Sequence, residues 1–297
     1  MRKHTIWIST ILAMVLLLSS CRLFERENTA YTIYYTSFLS GTLTDTNKMG
    51  STVKFKNVEQ KDFSHVSRTE SIINHKVETE RSITVNGKSF PVFYQETWEN
   101  SLISSRKYKK YGSYDSYRNG GVFAEIRGET NELIFFLNLD VNNKVPAGDM
   151  TEADAKQLAE SVITSLYGTD TLQEYRYETT FCSRDEHRDE YTVLYIKYVW
   201  DIPTDEQINV TMNMNGEISC VNAKLLGLYS TAEKDLSKTD IENATQALQQ
   251  SLPENWAIMD PSLILDSEGD YYIKAFVYDT KPTSEGIEGS TVYINVQ

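Results

Sequence analysis

Three stretches and three cysteines in this 297-residue chain carry residue types that could do chemistry. SRDEHRDE, at 183–190, places Asp185, Glu186, Asp189 and Glu190 around His187. Carboxylates and imidazole are metal ligands, but the stretch sits where a hairpin turn is expected and its arginines offset the charge, so a solvated turn is the expectation. DSEGD, at 266–270, looks like a fragment of a calcium loop. It lacks the twelve-residue spacing and the closing Glu, so it too reads as a turn. RKYKKYGSYDSYR, at 106–118, interleaves five basic residues with four tyrosines in an acidic chain. Its Arg106, Lys107, Tyr108, Lys109, Lys110, Tyr111 and Tyr114 form a candidate patch for a glycan, an anionic polymer or an aromatic peptide. The competing reading is a strand edge protected by lysines. Metalloprotease, serine-hydrolase, phosphate-loop and dinucleotide motifs are absent, and Cys182 and Cys220 are too far apart for a redox pair. No catalytic residue, metal or cofactor is assigned.

The composition shapes the rest. A net charge of -13 argues against a nucleic-acid partner, which would need a basic field. Nineteen tyrosines and 40% hydrophobic residues favour strand-rich, folded domains. Arg2 and Lys3 precede an apolar run at 6–18, too short for a comfortable membrane span and suited to a signal peptide. That run leads into Leu18-Ser19-Ser20-Cys21. The four residues resemble a bacterial lipobox. The resemblance implies removal of residues 1–20 and lipidation of Cys21 by diacylglyceryl and palmitate-type chains. The mature chain would have 277 residues and a charge of -15, held on the extracytoplasmic face of the cell membrane. In that oxidising setting Cys182 and Cys220 read either as two buried thiols or as a disulfide.

The elements that must position these groups follow from periodicity. Residues 21–29 read as a tether. Residues 30–147 read as a β-rich domain, with hairpins at Asn86-Gly87 and across 122–139. From Met150, Ala155, Leu158, Ala159, Val162 and Leu166 recur at helical spacing behind a Thr151…Asp154 capping pattern, and Gly168 stops the helix. Strands follow, with an Asn215-Gly216 turn. The order then recurs: Ser237…Asp240, then Ile241, Ala244 and Leu248, then strands. This divides the chain into units at 148–229 and 230–297, the second lacking a last strand. The helix start, the charged turn before DEYTV and the MNGEI hairpin resemble PepSY-like domains of bacterial envelope proteins. The resemblance implies an α+β fold, with two units of one helix packed on a short antiparallel sheet after the β-rich domain. It also implies a non-catalytic module that binds or restrains an envelope protein or glycan. A peptidase or glycan hydrolase with its site in the N-terminal domain is the alternative, and a solute-binding lipoprotein a weaker third.

Overall fold

Helix starts are set by side chains that satisfy the first free backbone N–H groups. In the computed structural model, Thr151 Oγ1 accepts the Asp154 N–H (3.2 Å) while the Asp154 carboxylate accepts the Thr151 N–H (2.9 Å). This box opens helix α1 (Glu152–Tyr167), which ends at Gly168, held at φ 92°. The same box recurs between Ser237 and Asp240, at 3.1 and 2.9 Å, and opens a second long helix, Lys238–Ser251. Each cap contributes about 1 kcal/mol. The structure describes residues 77–100, 113–141, 150–184, 189–252, 254–266, 269–281 and 289–296, and the strands at 33–35, 58–60 and 68–70.

The strands are β1 (Ile33–Tyr35), β2 (Val58–Gln60), β3 (Arg68–Glu70), β4 (Glu80–Val85), β5 (Lys88–Asn100), β6 (Ser113–Asn119), β7 (Val122–Arg127) and β8 (Leu133–Asn138) before α1. A single-turn helix α2 (Thr171–Glu174) follows α1. Then come β9 (Tyr175–Arg184), β10 (Asp189–Val199), β11 (Ile202–Asn213) and β12 (Ile218–Asn222). Another single turn, α3 (Ala232–Asp235), precedes α4 (Lys238–Ser251), and β13 (Trp256–Leu265), β14 (Tyr271–Asp279) and β15 (Gly289–Asn295) complete the order. The protein is mixed α+β and strand-rich. Among the described residues, no helix is long and apolar enough to cross a membrane.

One antiparallel sheet runs β9-β10-β11-β12-β8-β7-β6-β5, with β4 and β3 both pairing with β5. Its two faces can be read from adjacent cross-strand rows. The row Val193, Val210, Val221, Phe136, Ala124 and Tyr117 is fully buried, every member at 0% exposure. The next row, on the other face, is Phe181, Thr192, Thr211, Cys220, Leu137, Phe123, Arg118 and Phe93, and every member is at least partly exposed. Among the described residues, these two rows show the alternation of a sheet with one buried and one more exposed face, although Glu125 on the outer face is itself buried. The cover is α1, whose Ala155, Ala159, Val162 and Ile163 are buried in the same core as the inner row. The boundary expected at 147–148 therefore falls inside one sheet and one core. β8 pairs directly with β12 through Phe136↔Val221.

The second sheet runs β13-β14-β15-β1-β2 and shares a separate core with α4, through Ile241, Ala244 and Leu248. Its helix-then-meander order repeats that of α1 with β9, β10 and β11. Among the described residues, 230–297 supplies three strands to this sheet, β13, β14 and β15. β1 pairs antiparallel with β15 (Ile33↔Ile294, Tyr34↔Tyr293), in the place that β12 holds beside β11. A strand from far upstream closes the second unit, a pairing that no local sequence pattern encodes.

The two sheets meet at one parallel bridge, Thr204↔Leu263. Around it, the buried Glu206 carboxylate accepts the Gly227 and Tyr229 N–H groups (2.6 and 2.8 Å) and the Tyr175 hydroxyl. The Tyr229 hydroxyl donates to Asp205 (2.6 Å) and accepts the Leu265 N–H (2.9 Å). Nearby, the β10–β11 turn is built on Trp200 (φ 49°) and Asp201 (φ 70°). These left-handed conformations cost roughly 1–3 kcal/mol each. Contacts at the turn offset that cost: the Trp200 indole donates to the Leu236 carbonyl (2.9 Å), and Asp201 bridges Arg176 (2.8 Å) and Lys238 (3.4 Å).

Candidate functional site

Among the described residues, the outer face of the first sheet carries the two most exposed large apolar side chains on strands. Phe181 is 58% exposed on β9 and Phe93 is 46% exposed on β5; Leu139, just past β8, reaches 63%. Half-buried Phe123 and Leu137 lie between them in the row given above. Cations lie over these rings rather than standing free. The Arg118 guanidinium sits 4.5 Å from the Phe123 ring centre, and Lys224 sits 4.3 Å from that of Phe135 while pairing with Glu125 at 3.2 Å. Thr192 and Thr211 share a hydroxyl hydrogen bond of 3.0 Å toward the β9 end of the face. The surface thus offers apolar rings, stacked cations and hydroxyls in one plane. That chemistry suits contact with a broad partner.

A small cleft lies where two hairpin turns meet the end of β8. It has a volume of about 110 Å³ and is lined by Asn86, Lys88, Phe90, Asn138, Asp140 and Glu217, among others. Asn86 and Gly87 hold φ of 49° and 72°, the left-handed pair that a two-residue hairpin requires. Lys88 crosses to Glu217 at 2.8 Å, and with the Asn213 amide it holds the Glu217 carboxyl below the usual range. Substrate pockets run to roughly 300–1,000 Å³. This cleft has room for a few waters or a small ion.

The residues singled out by sequence are placed unevenly. Cys21, the run Arg106, Lys107, Tyr108, Lys109, Lys110 and Tyr111, and His187 lie outside the described residues. Tyr114 lies in β6, which is paired on both sides by β5 and β7, so the strand-edge reading fails at that position. Both cysteines lie in strands, as expected, but they are free thiols. β9 and β12 flank β10 and β11, so three strand spacings, about 14 Å, separate Cys182 from Cys220. A disulfide needs Cα atoms within roughly 7 Å. Cys182 is also exposed, which corrects the expectation of two buried thiols. Cys220 is half-buried, and its burial pushes the thiol up to about 11. In DSEGD, the Asp270 N–H donates to the Asp266 carboxylate (2.8 Å) and the Gly269 N–H to the Asp266 carbonyl (3.1 Å), a turn stabilised from within. Among the described residues, no group of three or more His, Cys, Asp or Glu is placed to hold a metal.

Sequence reading missed Phe93, Phe123, Leu137 and Phe181 as a set. Each stands at an outward position of an alternating strand. Only the order of the strands across the sheet aligns them.

No protein-family model matches the chain, and no curated protein sequence matches it. Among solved structures, the Bacillus megaterium YpeB C-terminal domain is similar over 62% of this chain and 83% of its own, at 9% identity and a TM-score of 0.30.

Proposed function

We propose that this chain is a lipid-anchored extracytoplasmic binding or regulatory protein of the bacterial cell envelope, which acts by contact with an envelope protein or glycan. The observation that carries the contact is the outer sheet face, with Phe93, Phe123, Leu137 and Phe181 in register across it. The anchor rests on Leu18-Ser19-Ser20-Cys21 behind the apolar run, with the lipid on Cys21 as the attachment to the membrane. The PepSY-like reading of 148–229 and 230–297 is supported by two capping boxes, each followed by a helix and an antiparallel meander.

The test is capture of partners by the mature protein from solubilised native envelopes, beside a Phe93→Glu, Leu139→Glu variant. Both side chains are exposed, so the fold should tolerate the change. Loss of a specific protein or glycan from the variant capture is the expected result. Equal recovery by both proteins, or hydrolase activity with no partner, overturns the reading. For the anchor, a Cys21→Ala protein should leave the membrane fraction. Its continued partition there as a cleaved species refutes lipidation.

A further inference from the structure

We infer that the β10–β11 turn is a strained latch on the second unit: Trp200 and Asp201 grip the corner between α3 and α4, and the turn relaxes when that corner lets go. This goes beyond the proposed function and does not depend on it.

Among the described residues, three hairpins close with two-residue turns, across which Val85↔Lys88, Asn119↔Val122 and Val199↔Ile202 pair. The first two turns are Asn86-Gly87 and Gly120-Gly121, the small residues that such turns favour. The third is Trp200-Asp201. Its φ angles match those of the first turn, at 49° and 70° against 49° and 72°. Asp tolerates left-handed backbone, but a bulky aromatic residue there is an outlier. Asn-Gly would make the more stable turn, and the chain uses that pair at 86–87. A residue that breaks a local rule points to something gained elsewhere.

The gain is a hold on the second unit. The Trp200 indole N–H donates to the carbonyl of Leu236, just past α3, and the Asp201 carboxylate meets Lys238, the first residue of α4. Arg176 on β9 holds Asp201 from the first sheet. Beneath these contacts, Val199 and Leu236 are both buried in the second core, and Ile202 packs against it. The other links described between the units, the Thr204↔Leu263 bridge and the hydrogen bonds of Glu206 and Tyr229, hold residues 227–229 and Leu265 instead. The α3–α4 corner can therefore let go while those links stay made. Release gives up a hydrogen bond and an ion pair and recovers relaxed backbone. That exchange narrows the gap between the held and released states, which is what a switch requires. A released corner bares Val199 and Leu236, an apolar surface that the latch keeps closed.

Amide hydrogen exchange on the whole protein reads both sides of the latch. The Leu236 N–H bonds the Ala232 carbonyl (2.8 Å) and the Ile241 N–H the Ser237 carbonyl (3.4 Å), so these two report on the corner. Val193 and Val210, paired within the same hairpin, report on β10 and β11. Trp200→Asn combined with Asp201→Gly installs the turn found at 86–87. It should slow exchange at Val193 and Val210 by about tenfold, because strain leaves the hairpin. It should speed exchange at Leu236 and Ile241 by about tenfold, because the grip is lost. Trp200→Phe keeps the strained backbone and removes the indole N–H. It should speed Leu236 and Ile241 by about fivefold and leave Val193 and Val210 unchanged. An ordinary structural turn would move both pairs of amides the same way. The inference falls if the double variant does so, if either pair keeps its wild-type rate in that variant, or if Trp200→Phe leaves Leu236 unchanged.

Discussion

Tyr229→Phe should loosen the second unit from the first while leaving both cores filled. The ring stays: it is buried and packs against Tyr271 with ring centres 6.3 Å apart, so no cavity opens. What leaves is one hydroxyl that makes two hydrogen bonds, accepting the buried Leu265 N–H at 2.9 Å and donating to Asp205 at 2.6 Å. An orphaned buried N–H costs roughly 1–3 kcal/mol, and a charge-assisted bond contributes about 1.5–3 kcal/mol. Asp205 is half-exposed and can take up water in place of the phenol, so its share is discounted and the total is about 2–4 kcal/mol. Burial and the Asp205 carboxylate both push the Tyr229 phenol well above its ordinary value, so it stays protonated as donor throughout the working range. In urea the change should lower the midpoint by about 1 M or more. Because Leu265 lies on β13 and Tyr229 in the segment after β12, the variant should also show earlier loss of the second core. Amide hydrogen exchange gives the sharper reading: Leu265 should lose protection by a factor of about 30 or more, the equivalent of 2 kcal/mol. An unchanged Leu265 exchange rate, or a midpoint within error of wild type, would refute the assignment of this hydroxyl as the pin of the joint.

Other expectations are simpler. Tyr117 is fully buried and its hydroxyl has no hydrogen-bond partner among the described residues, so Tyr117→Phe should leave stability unchanged or raise it by up to about 1 kcal/mol in chemical denaturation; a loss of 1 kcal/mol or more would show a hidden partner. The exposed Cys182 should react with a thiol reagent at pH 8 well before Cys220, of which about one in a thousand is thiolate when its value is about 11; equal rates would contradict the burial of Cys220. Glu217 is held low by Lys88 and Asn213, and Asp201 by Arg176 and Lys238. A carboxyl lowered in the folded state contributes stability above its unfolded value, near about 4, and loses it as pH falls through the folded value. Thermal midpoints should therefore hold from pH 7 to about 5 and drop below about 4. A rise in stability on acidification would reverse the sign.

Much of the fold follows from local pattern because its signals are local. The two capping boxes need only a hydroxyl and a carboxylate three residues apart, and both form where Thr151…Asp154 and Ser237…Asp240 place them. The Asn86-Gly87 turn and the hairpin of β7 and β8 follow from residues that tolerate left-handed backbone and from period-two alternation. Long-range pairing is different. Nothing near Phe136 says that its neighbour will be Val221, and nothing near Ile33 points to Ile294. The Trp200-Asp201 turn is hidden for another reason: Asp201 tolerates left-handed backbone but the bulky Trp200 does not favour it, and the contacts to Leu236 and Lys238 that hold the turn come from elsewhere in the chain. The candidate face shares both properties. Each of Phe93, Phe123 and Phe181 looks like an ordinary outward strand residue until the strand order aligns them.

The pairing of β1 with β15 has a mechanical side. With a lipid on Cys21, only the residues 22–32 separate the anchor from Ile33, a reach of at most about 43 Å. Any pull between membrane and protein enters through β1, a three-residue strand joined to β15 at two register positions. Such a ladder yields long before the larger first sheet. β1 would then act as a fuse, detaching under load and baring the side of β15 while the rest of the fold stays intact.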